Sequence, residues 1–224
     1  MLRRLAHVRN WVFDLDNTLY PAASDLFGRI DVRMGAYIQR LLDVDAGEAR
    51  RIQKRYFVDH GTTLSGLMAT HGIDPHDFLD FVHDIDMDAL AEDRRLARLL
   101  ARLPGRKLVF TNGDTAYARR VLDRLGLGDS FEAIHDIHAA AYVPKPDPRA
   151  YAGMVAAFGI DPAESLFAED MARNLRPAKA LGMATLWINN GSEMGARDAA
   201  PDYIDFETDD VGSWLERLLE NEHD

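Results

Sequence analysis

Val12-Phe13-Asp14-Leu15-Asp16-Asn17-Thr18-Leu19-Tyr20 marks the point where an apolar run stops and two carboxylates appear, two residues apart. Alternate residues of a strand point the same way, so Asp14 and Asp16 are expected on one side. At a strand's end the geometry loosens, and each acid can be aimed at a different task. Two acids that close repel, which raises one pKa unless a cation lies between them. The pair reads either as a metal site or as a nucleophile with a separate proton donor. It also reads as a plain turn in which Asp16 or Asn17 caps the next segment of chain. The rest of the chain decides among these readings.

Short apolar runs recur at Trp11 to Phe13, Lys107 to Phe110, Phe131 to Ile134, Ser165 to Ala168 and Ala184 to Ile188. Each is too short for a helix and suits a buried strand. Helical faces lie between them: Leu96, Leu99, Leu100 and Leu103; then Ala118, Val121, Leu122 and Leu125, closed by Gly126; then Met154, Val155 and Phe158, closed by Gly159. Strands alternating with helices predict parallel strands joined by right-handed crossovers, hence an open α/β sheet. Ligands of such sheets bind beyond the carboxyl ends of the strands.

Residues 21–91 break the rhythm. Ile30, Met34, Tyr37, Ile38, Leu41 and Leu42 follow helical spacing, and Arg50 to Val58 and Leu64 to Thr70 continue in that style. Asp74-Pro75 starts another helix by the cap and first-turn proline rule, with Phe78, Phe81, Val82 and Ile85 facing inward. A helical module inserted directly after the first strand is expected to stand over that strand's carboxyl end and cover Asp14. The predicted division is a core of residues 1–20 plus 92–224 and a helical cap of residues 21–91.

Three further segments bear chemistry. Val109-Phe110-Thr111-Asn112-Gly113-Asp114 ends the second strand with a hydroxyl and with backbone N–H groups at a helix start, which favour anions; it also reads as a turn with Asp114 as N-cap. Val143-Pro144-Lys145-Pro146-Asp147-Pro148 stiffens the backbone around one lysine, which suits reach toward one fixed anion. Leu166-Phe167-Ala168-Glu169-Asp170 is another strand ending in acids before a helix, where the helix dipole favours them. With the strands as neighbours, acids, hydroxyl and lysine converge at one sheet edge.

Composition narrows the functional classes. Hydrophobic residues make up 47% and charged residues 28% of the 224 residues, as in ordinary soluble globular chains. A net charge of -11 argues against nonspecific binding to nucleic acid or anionic membranes, though a local cation can reverse the field in one cleft. The chain has no cysteine, which removes disulfides, thiolate metal sites and a cysteine nucleophile, and fits a reducing compartment. No apolar run approaches the roughly 18 to 20 residues that cross a bilayer. Met1 to His7 has positive charge but no apolar stretch after it, so a cytoplasmic protein is expected. Trp214, Leu215, Leu218 and Leu219 are expected to pack on the core rather than on a second subunit.

At Asp14-x-Asp16-x-Thr18, Thr111, Lys145 and Glu169-Asp170, in that order, the chain resembles the haloacid dehalogenase-like hydrolase superfamily. The likeness covers essentially the whole chain, with Pro21 to about Ala91 matching that superfamily's helical cap. It implies a Rossmann-like core. Within the superfamily the chain looks most like the pyrimidine 5'-nucleotidase-like group, at Phe13 to Pro21, Gly61 to Leu67, His71 to Pro75 and Phe81 to Asp86.

The resemblance implies a phosphomonoester hydrolase. Asp14 would be the nucleophile forming an aspartyl-phosphate, and Asp16 the acid and then the base. Thr111 and Lys145, helped by the Asn112 N–H, would hold phosphoryl oxygens. Mg2+ would sit on Asp14, the Asp16 backbone carbonyl and Asp170, with Glu169 close to it. The implied partner is a small phosphorylated metabolite, a nucleoside monophosphate above all. Phosphosugar phosphatase, phosphomutase and a non-catalytic phospho-ligand-binding or partner-binding relative are the alternatives. Tyr20, Thr62 and Thr63 are the expected recognition residues, Tyr20 by stacking on a base or sugar. His83 and Asp86 are secondary candidates, since a lone histidine by a helix is usually a packing residue.

Overall fold

The computed structural model describes residues 5–220. Six strands, β1 (Asn10–Phe13), β2 (Arg106–Phe110), β3 (Ala133–His135), β4 (Ser165–Glu169), β5 (Ala184–Ile188) and β6 (Phe206–Thr208), form one sheet in the order β3-β2-β1-β4-β5-β6. Every pairing is parallel. β1 is central, and the chain winds outward through β2 and β3 on one side and through β4, β5 and β6 on the other. The winding reverses between β1 and β4, so the crevice at their carboxyl ends is the switch point where open α/β sheets take ligands.

Alternation along the strands splits the core in two. Val12, Leu108, Phe110 and Phe167 pack with Tyr151, Met154 and Leu175 on one face. Phe13, Val109, Leu166 and Ala168 pack with Leu99, Val121, Trp214 and Leu218 on the other. The helices are α5 (Arg94–Arg102), α6 (Thr115–Arg124), α7 (Pro148–Phe158), α8 (Ala172–Ala180), α9 (Glu193–Ala196) and α10 (Val211–Glu220). The apolar face of α10 is buried within the chain, against α5 and β6.

Between β1 and β2 run α1 (Leu26–Leu42), α2 (Ala46–His60), α3 (Thr63–His71) and α4 (Pro75–His83), with no strand among them. Their starts follow side-chain chemistry: Asp45, Thr62 and Asp74 each accept a backbone N–H of the first turn. Gly61 joins α2 to α3 at φ +83°, a left-handed conformation that disfavours any side chain. α4 stops at His83, so Ile85 lies beyond the helix expected to carry it, although it still packs on the core.

Two strands depart from expectation. β6 has three residues in an acidic stretch, with Asp205 before it and Glu207 inside it, and forms by pairing Leu186 with Phe206 through Ile188 with Thr208. β3 begins and ends later than its apolar run, because Leu108↔Ala133 and Phe110↔His135 set the register and draw a polar residue into the strand.

That residue, His135, is buried between Phe110 and Phe158, and its Nε2 has no hydrogen-bond partner. Burial pulls its pKa below 6.5, against the opposing pull of Asp136. The unfolded imidazole takes a proton near that value and the folded one takes it only at lower pH. Unfolding therefore binds a proton, and stability falls as pH drops below about 6.5. Thermal scans between pH 7 and pH 5 are expected to show a steeper fall in Tm for the wild type than for His135→Leu.

Candidate active site

Asp14 follows the last residue of β1 and donates its N–H to the Ala168 carbonyl, which fixes it beside the end of β4. Its Oδ1 accepts a hydrogen bond of 2.6 Å from Lys145 Nζ. The same ammonium donates to Glu169 Oε2 at 2.6 Å and to the Phe110 carbonyl at 3.0 Å. Lys145 is 2% exposed and lies over the rings of Phe110 and Phe167. Burial works against its charge, but Asp14 and Glu169 outweigh burial and hold its pKa above the usual lysine value. The Lys145–Pro146 peptide is cis. The Asn112 side chain clasps this loop from both sides: its Oδ1 accepts from Lys145 N at 2.9 Å and its Nδ2 donates to the Lys145 carbonyl at 3.3 Å.

Asp14, Glu169 and Asp170 place carboxylate oxygens within 4.8 Å of one another. Burial first, then the Glu169 charge, pushes Asp14 up to about 8, with Lys145 opposing. The same two causes push Asp170 well above the carboxylate range. Three buried acids facing one ammonium are short of positive charge, and an all-oxygen donor set suits a hard divalent cation such as Mg2+. Glu169, left open by the sequence as a neighbour of that site, is inside the cluster, although one oxygen is taken by Lys145 and the other by the Met171 N–H.

Asp16 turns away from this cluster. Its Oδ1 accepts from Tyr20 at 2.6 Å and from Tyr117 at 2.7 Å, both on the opposite face of the sheet from Phe110 and Phe167. Asn17 at φ 56° turns the chain there, so alternation past the strand end no longer holds. Tyr20, expected to stack on a base or sugar, is 3% exposed and spends its hydroxyl on Asp16. Its ring is part of the core, unavailable to a ligand.

A cleft of about 480 Å³ opens above these residues. Asp14, Asp16, Asn112, Lys145, Glu169 and Asp170 line its floor, and the insertion supplies an apolar wall that includes Ile30, Phe57, Leu64, Phe78 and Val82. Thr62 and Thr63 line the cleft too, but the Thr62 hydroxyl caps α3 and meets Ser65 Oγ. Thr111 is 1% exposed, does not itself line the cleft, and accepts the Gly113 N–H. Asp114 caps α6, and its other oxygen meets His83 Nδ1 at 2.5 Å. His83 lines the cleft, whereas Asp86 is exposed outside it, its carboxylate accepting the Asp88 N–H and its carbonyl the Arg29 guanidinium.

Sequence reasoning missed Arg173, Arg197 and Tyr117. Arg173, on α8, stacks at 4.5 Å over Phe57 of α2 and reaches toward the Gly61 carbonyl. Its only sequence signal was its place four residues after Glu169.

A parallel α/β sheet with paired acids and a buried lysine at its switch point, under a helical insertion, defines a class of hydrolase fold. The model of the haloacid dehalogenase-like hydrolases matches residues 8–182, and the chain belongs to that family. Phosphate metabolism protein 8 of Saccharomyces cerevisiae is 29% identical over 189 residues, which span 76% of this chain and 58% of that protein. Phosphoglycolate phosphatase of Pseudomonas putida is 27% identical over 199 residues, 82% of this chain and 70% of that one. The structure of L-2-haloacid dehalogenase from Xanthobacter autotrophicus with chloropropionic acid covalently bound superposes at a TM-score of 0.58 and 20% identity, covering 95% of this chain and 98% of that one. The last comparison speaks to the fold. No helix among the described residues is long and apolar enough to cross a membrane.

Proposed function

We propose that this chain is a Mg2+-dependent phosphomonoester hydrolase that works through an aspartyl-phosphate, with residues 21–91 as its cap. The observation that carries the reading is the Asp14–Lys145–Glu169 contact at the switch point, with Asp16 in the same cleft. Asp14 attacks phosphorus while the bond to the leaving oxygen breaks, and Asp16 gives that oxygen a proton. Water then attacks phosphorus, Asp16 takes a proton from it, and the bond to Asp14 breaks to return the carboxylate and free phosphate. Lys145 and the Asn112 N–H hold the phosphoryl oxygens, and Thr111, buried behind them, braces that turn by accepting the Gly113 N–H. Asp14, Asp170 and the Asp16 carbonyl would hold Mg2+, with Glu169 beside them; bound there, it supplies the positive charge that keeps Asp14 ionised at neutral pH.

Asp16 also argues for phosphate esters over haloacids. A halide departs without a proton, so an acid is useful there only when oxygen leaves. Relatives named as phosphatases support the same choice. For the substrate we favour a pyrimidine nucleoside 5'-monophosphate. The cap stretches resemble that group, the cleft volume falls in the usual range for small ligands, and the Phe57 and Leu64 part of the wall suits a flat base, with Thr62, Thr63 and Gln53 as polar groups. A second reading rests on Arg173 and Arg197, which line the cleft and form no ion pair with any described residue. They would suit a phosphorylated acid or phosphosugar. We extend the proposal to a cytoplasmic setting, which the absence of cysteine fits.

UMP, CMP, sugar phosphates, phosphoglycolate and 2-chloropropionate are to be assayed with Mg2+ and with EDTA. Phosphate release that needs Mg2+ and is fastest on UMP or CMP is expected. Release of halide, or no phosphate release from any ester, overturns the reading. Tight ligand binding without turnover would mark a non-catalytic relative.

A further inference from the structure

We propose that Tyr20, Tyr117 and His83 form a positioning clamp that aims Asp16 and ties its aim to the helical insertion; this rests on Asp16 being the proton shuttle proposed above. The two phenols approach one carboxylate oxygen. Tyr20 donates to Oδ1 at 2.6 Å and Tyr117 donates to the same atom at 2.7 Å, with the two hydroxyl oxygens 3.5 Å apart. Oδ2 accepts no hydrogen bond from any described residue. A carboxylate gripped by one oxygen in this way has lost the rotation that would scramble its two oxygens. Oδ2 is therefore the atom left to carry the proton in the cleft that Asp16 lines. Both phenols are buried, Tyr20 at 3% and Tyr117 at 1% exposure.

The two tyrosines come from different elements. Tyr20 lies four residues after Asp16, and Tyr117 lies on the first turn of α6, 101 residues away. The third member comes from the insertion. The His83 ring, at the end of α4, stacks on the Tyr117 ring at 4.2 Å and 12°. Its Nδ1 meets Asp114 Oδ2, and Asp114 Oδ1 accepts the Tyr117 N–H. Arg120, also on α6, donates to the His83 carbonyl at 3.1 Å and to the Ile85 carbonyl at 3.0 Å. The end of the insertion is thus latched to the helix whose tyrosine holds Asp16. Any displacement of α4 from α6 unstacks the ring that backs Tyr117, so the shuttle is fully aimed only with the insertion seated.

The test is leaving-group dependence in Tyr20→Phe, Tyr117→Phe and the double variant, each of which keeps the ring and the packing. p-Nitrophenolate leaves phosphorus without being protonated, whereas an alkoxide needs the proton. With Mg2+ and p-nitrophenyl phosphate, the double variant is expected to release about one equivalent of p-nitrophenolate in a burst. It then turns over roughly 10-fold or more slowly than wild type, because only water activation is impaired. On an alkyl phosphate it is expected to lose kcat by a similar or larger factor without a burst, with KM changed less than about 2-fold. His83→Leu is expected to show the same pattern, more weakly. A purely structural role would lower Tm and slow both substrates alike, with no burst, and would overturn the clamp. So would unchanged kcat on the alkyl phosphate. Wild-type protein inactive on both esters would overturn the hydrolase reading itself, and the clamp with it.

Discussion

Asp14→Asn is expected to abolish phosphate release, by on the order of 10³-fold or more, while the protein stays folded. The amide is nearly isosteric and cannot form the aspartyl-phosphate. The structural consequences favour a folded variant. Asp14 is 5% exposed, and burial together with Glu169 makes its charge costly. Its pKa of about 8 lies above the usual value of 3.8. The metal-free wild type therefore has the full stability contribution of this group below about pH 3.8 and loses it as pH rises toward 8. Asparagine carries no charge to bury, and Lys145 keeps Glu169 and the Phe110 carbonyl as partners. Calorimetry without metal at pH 7 is expected to place Tm of Asp14→Asn at or above wild type. Wild-type turnover in the purified variant would refute Asp14 as nucleophile. A collapse in Tm would show instead that its charge holds the loop of Lys145.

Much of the site was readable because the informative residues are local to strand ends. The apolar runs that became β1, β2, β4 and β5 lead directly into Asp14, Thr111, Asp170 and the turn after Ile188. Once the strands are parallel neighbours, convergence of the first three is a matter of topology alone. What could not be read depends on where side chains turn. Tyr20 looked available because it comes soon after the acids, but its ring is drawn into the core and its hydroxyl is pulled to Asp16. Tyr117 gave no signal at all, since its hydroxyl reaches Asp16 only after α6 packs on β3. β6 was invisible for a related reason: with an acid on each side of Phe206, it has no apolar pattern, and only the exposed edge of β5 makes it a strand.

Lys145→Met separates the two tasks of the lysine, and it is expected to fail at both. Methionine keeps much of the stem's bulk but leaves Glu169 buried, 1% exposed, without its cation. Breaking a buried pair by removing one partner costs about 3–5 kcal/mol, which for a chain of this size is a fall in Tm of roughly 6–20 °C. Turnover is expected to fall as well, because at about 4 Å a unit charge on a phosphoryl oxygen is worth roughly 4 kcal/mol at an effective dielectric near 20. Adding Glu169→Gln pulls the effects apart. The glutamine needs no counter-charge, so the double variant is expected to recover a large part of the lost Tm, a strong coupling of neighbours that are not additive. It is not expected to recover kcat, since the Lys145 ammonium is still missing from the phosphoryl group. If Tm and kcat rise together in the double variant, Lys145 is a structural counter-ion to Glu169 and its proposed grip on phosphate is wrong. If neither rises, the Asp14 contact at 2.6 Å, rather than the one to Glu169, is what Lys145 stabilises.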